Sequence, residues 1–115
     1  MPMEKIASIA VFLQEKEKAH RCHAAALAAD SRADEANFQK IRANVFGIFR
    51  AVLETAVKTK GECPEALEFF SAKLREIPAS WRGALEKAKN SESAYVEKLK
   101  LDSVKEIERF IGDIK

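Results

Sequence analysis

Glycine and proline are scarce in this chain, four and three among 115 residues, which leaves little material for a turn-rich fold. With Ala, Glu, Lys and Leu abundant in their place, the composition favours an all-helical globular protein. Long hydrophobic runs are missing too. No stretch approaches the ~18 apolar residues that a membrane span requires, and the run at residues 6–13 is short, preceded by Glu4 and followed by Glu15, Lys16, Glu17 and Lys18, so it is not read as an export leader. An excess of one charge is absent: 20 basic and 18 acidic residues interleave along the chain, which argues against a nucleic acid or an anionic membrane as partner. Only residues 31–60 lean basic, with Arg32, Lys40, Arg42, Arg50, Lys58 and Lys60 against Asp34, Glu35 and Glu54. The two cysteines, Cys22 and Cys63, have no CxxC spacing, and a chain of this length folds without a staple, so they are expected to be reduced thiols of a cytoplasmic protein. No nucleophile stands beside a base and no glycine-rich loop is present, which sets the expectation that the protein is not an enzyme and takes no cofactor.

What is present is helical periodicity. In residues 38–57, Phe38, Ile41, Val45, Phe49, Val52 and Ala56 recur in helical steps, and Phe46, Ile48, Leu53 and Val57 widen the stripe on both sides. That arc covers roughly half the circumference, more than one neighbouring helix can cover, so this helix is expected at the centre. Before it, a helix opening at Pro2 or Met3 carries Ile6, Ile9, Leu13, His20, Ala24 and Leu27, with its stripe interrupted at Glu17. Asp30 and Ser31, with Asp34 and Glu35 beyond, read as a cap between the two, giving a tight antiparallel hairpin. The alternative is one continuous helix of more than fifty residues, which needs a partner chain to cover it.

Gly61 and Pro64 end the central helix near Lys60. A short helix from Pro64 carries Leu67, Phe70, Leu74 and Ile77. Pro78 is expected to break it, and a second short helix from Ala79 or Ser80 carries Trp81, Leu85 and Ala88 as far as Asn90. Ser91 then caps a long last helix with Val96, Leu99, Val104, Ile107, Phe110 or Ile111, and Ile114 on its stripe, and Asp102 marks a small kink. The expected architecture is one domain over residues 1–115, an all-α compact helical bundle of about five helices.

Three constellations compete for function. Glu17 and His20 have the Glu-x-x-His spacing of carboxylate-bridged metal bundles, and His23 follows one turn on, but a chain with two histidines cannot supply a second such motif. A polar pair at a helix seam that fixes register accounts for the same residues. The two short helices could form a helix-turn-helix with Arg75, Arg82, Lys87 and Lys89 facing DNA, although Glu65, Glu68, Glu76 and Glu86 cancel those charges. The remaining reading is an interaction module that self-associates as a homodimer or binds a protein partner through an apolar helix face. Phe46, Leu53 and Val57, on the flank of the central helix, and Trp81 beside Pro78 are its interface candidates.

Overall fold

The computed structural model describes residues 2–113, with side chains from Glu4 onward. They form helices α1 (Pro2–Ala29), α2 (Ala33–Lys60), α3 (Pro64–Glu86) and α4 (Ser91–Asp113), with no strand among the described residues. The expected Ile114 position lies outside them. No described helix is long and apolar enough to cross a membrane.

α1 and α2 form the hairpin. The turn closes with Ser31 N–H donating to Ala28 O at 3.1 Å and Arg32 N–H donating to Leu27 O at 2.9 Å, while Ser31 takes φ 61. This is the Schellman arrangement, in which a left-handed residue just past the helix end satisfies its last carbonyls. Glycine normally occupies that position. Here a serine does, so Ser31 ends α1 instead of capping α2. Arg32 is the residue preceding α2 and makes no side-chain cap bond; its guanidinium pairs instead with Glu35. At the far end Gly61, at φ 82, donates its N–H to Val57 O at 2.8 Å, and Pro64 begins α3 as the sequence indicates.

The break at Pro78 does not occur. α3 continues through it to Glu86, so the two short helices are one and the described residues form four helices, not about five. An interior proline costs a helix about 3 kcal/mol, because it removes an N–H and crowds the preceding turn. Here the apolar stripe stays in phase across it. Phe70, Leu74, Pro78, Trp81 and Leu85 follow one another at helical spacing, and the proline ring is itself fully buried among them. The cap of α4 also shifts by one residue. Asn90 Oδ1 accepts from Ser93 N–H at 2.8 Å, so Asn90, not Ser91, is the capping residue. α4 then runs unbroken past Asp102, and the buried Ser103 hydroxyl donates to Leu99 O at 3.0 Å.

α2 is the hub on which every other helix packs. Phe49 meets Phe70 and Trp81 of α3 edge-on, with ring centroids 6.2 and 6.4 Å away. Phe46 meets Phe12 of α1 edge-on at 6.1 Å, and Phe12 stacks on Phe110 of α4 at 4.1 Å. Each buried aromatic contributes about 1.5–3 kcal/mol from area alone, and edge-on geometry adds to it. α1, by contrast, packs almost wholly on α2 and touches α3 and α4 at few positions.

Candidate interaction surface

This packing revises the interface expected on α2. Phe46 is 0% and Leu53 2% exposed, both within the main core cluster. The flank they form is covered from within the chain by α1, which supplies Ile6, Ile9 and Leu13. Leu53 and the half-buried Val57 reach only the floor of a groove of about 380 Å³ shared with Ile6, Ala7 and Ala10. Trp81 is half-buried between Phe49 and Lys100, whose Nζ lies 5.6 Å over the indole, which gives it the place of a core plug.

The uncovered apolar edge is on the other side of α2. Ile48 is 39% exposed, and Ile41 and Val52 beside it on the same edge are half-buried. The edge leads into a cleft of about 830 Å³ between the first halves of α2 and α4. Phe38 and Ile41 from α2, and Tyr95 and Val96 from α4, give it apolar walls, with Asp34, Lys40 and Glu92 at its rim. Tyr95 is 44% exposed and stands edge-on to Phe38 at 4.8 Å, so the cleft has a defined aromatic wall. Sequence periodicity places Phe38 and Ile41 on the central stripe, but Tyr95 lies beside the α4 stripe and carries no sequence signal for this role.

The polar residues of the metal reading are already engaged. Glu17 Oε1 accepts from Arg50 Nε at 2.7 Å, and its Oε2 accepts from Arg21 Nη2 at 2.9 Å. Arg50 also donates to Glu54 Oε1 at 2.9 Å. The hydrogen bond from Arg50 holds the Glu17 carboxyl below its ordinary 4.5, partly opposed by burial and reinforced by Arg21. Arg50 is raised in turn, chiefly by Glu17 and then by Glu54. Two guanidiniums on one carboxylate repel a metal cation at that position. His20 donates from Nδ1 to Gln39 Oε1 at 2.7 Å and stacks on Phe46 at 5.6 Å, while His23 is exposed. Among the described residues no group of three His, Cys, Asp or Glu side chains is placed to share a metal ion. The arrangement is a polar seam between α1 and α2, closed over Gly47 of α2.

The residues of the helix-turn-helix reading have no turn between them. Arg75 and Arg82 sit on the continuous α3 and are exposed, and Lys87 and Lys89 follow its end. Two helices set at an angle across a short turn, which the motif requires, are not formed by residues 64–86.

Comparison with known proteins adds no neighbour: no family model matches the chain, and neither a curated protein nor a solved structure matches it.

Proposed function

We propose that this chain is a small cytoplasmic interaction module that receives an amphipathic helix of a protein partner in the cleft between α2 and α4. The observation that carries the reading is the aromatic wall of Phe38 and Tyr95, with Tyr95 44% exposed, continued along α2 by exposed Ile48. A groove between two helices is the shape that accepts a third, whose apolar face enters at helical spacing. The rim specifies the partner's charges. Asp34 and Glu92 favour a basic residue on the docking helix, and Lys40 an acidic one. Tyrosine is well suited to such a wall, since it gives a large contact area with little side-chain entropy to lose.

A photoreactive amino acid at position 95 in living cells, compared with one at exposed Glu108, tests this reading. The expected result is a dominant protein adduct at position 95 alone, whose helical segment, made as a peptide, binds the purified chain and loses at least about tenfold in affinity with Tyr95→Glu. Equal adducts at both positions, or a peptide insensitive to Tyr95→Glu, contradicts it.

A further inference from the structure

We propose that the turn at Ser31 is a hinge through which two copies of this chain exchange α1, each chain straightening α1 and α2 into one continuous helix. The occupant of the α1 position on α2 is then the α1 of a second copy. The motive is first the turn itself. Three residues, Asp30, Ser31 and Arg32, separate the helices, and the middle one holds φ 61 without being glycine. A side chain in the left-handed region is disfavoured by contact between its Cβ and the backbone, and a short strained connection is the feature that invites exchange.

The flanking sequence is ready to continue. No glycine or proline lies between Pro2 and Gly47, and residues 24–36 are mostly alanine with Leu27, Asp30, Ser31, Arg32, Asp34 and Glu35. Arg32 makes no side-chain cap bond that would be lost on straightening. The interface survives the exchange, because α1 packs almost wholly on α2. The seats of Ile6, Ile9, Leu13, Ala24 and Leu27 are refilled by identical side chains from the second copy, as is the Glu17 to Arg50 bridge at 2.7 Å. Where the two long helices cross at the hinge, the surface is small: Ala25, Ala26, Ala28, Ala29 and Ala33 are all exposed, so the backbones can approach closely.

This inference does not depend on the cleft, and intrachain geometry separates it from a dimer formed through any outer face. The full chain carrying Glu15→Cys and Ala51→Cys, with Cys22→Ser and Cys63→Ser, is spin-labelled, mixed with excess unlabelled chain and refolded from urea at high concentration. The hairpin keeps the two labels within about 25 Å, since packed helices lie about 10 Å apart. The continuous helix separates them by about 54 Å, at 1.5 Å per residue. The expected result is a dimer with the long intrachain distance. Ser31→Gly, which removes the strain and weakens the straight helix, lowers dimerisation roughly a hundredfold, and Ser31→Ala raises it about fivefold. A chain that stays monomeric after this refolding, a dimer that keeps the short distance, or a dimer indifferent to Ser31→Gly overturns the inference.

Discussion

Gly47 of α2 lies directly beneath Glu17 of α1: a Cβ built on the glycine stands 2.8 Å from Glu17 Oε2. That oxygen is not free to move away, because Arg21 and Arg50 hold the carboxylate from two sides. In an ordinary helix interior Gly→Ala stabilises by about 1 kcal/mol. We predict that Gly47→Ala alone is neutral or destabilising, and that the missing gain of about 1 kcal/mol appears once Glu17 is also replaced by Ala. A urea-denaturation cycle on the four proteins measures this coupling.

The same carboxylate makes stability depend on pH. The Glu17 group has a folded-state value below its ordinary 4.5, so its contribution is fully present above the unfolded value and is lost as pH falls through the lowered one. We predict that Glu17→Gln costs on the order of 1 kcal/mol at neutral pH, a modest figure because water screens the partly exposed Arg50. The difference between wild type and variant shrinks to nothing in acid. Chemical denaturation repeated at several pH values checks it.

Phe38 and Tyr95 hold the wall of the cleft with ring centroids 4.8 Å apart. Truncating either to Ala weakens the contact of α2 with α4, and a double-mutant cycle gives a coupling of about 0.5 kcal/mol, the low end for aromatic pairs because Tyr95 is partly exposed. Neither substitution reduces helix content, since both residues lie outside the main core cluster.

Pro78→Ala restores a backbone donor inside a helix that is already continuous. We predict a gain of about 1 kcal/mol, the helix-interior cost of proline reduced by the lost burial of its ring. Far-ultraviolet circular dichroism of the folded variant stays at the wild-type value. A chain broken at this proline gains helix signal instead.

The stripe at residues 38–57 made α2 legible as the hub, because covering so wide an arc requires several neighbours whatever their order. Gly61 and Pro64 were legible for a similar reason: each has one strong local use, and both served it. Pro78 was misleading because its local cost is outweighed by burial on a stripe that stays in phase from Phe70 to Leu85, a balance set by tertiary packing. Ser31 resembles a cap in the sequence because serine seldom takes positive φ, and only the chain's reversal onto α2 requires it here. The polar seam left two traces, Glu17 interrupting an apolar stripe and Gly47 standing mid-helix. Their pairing needs the hairpin register, which local pattern does not supply. The side of α2 left open is likewise fixed by where α1 packs, so the wide arc indicates a surplus of apolar surface but points to the flank of Phe46, Leu53 and Val57, which α1 covers.

The most direct test of this account is therefore a comparison across α2: urea denaturation of Phe46→Ala beside Ile48→Ala. Phe46 is 0% and Ile48 39% exposed, two residues apart on opposite flanks of the hub. We predict a loss of about 3–5 kcal/mol at Phe46 and less than about 1 kcal/mol at Ile48. Equal losses, or the larger loss at Ile48, would contradict the placement of the free edge and with it the proposed docking cleft.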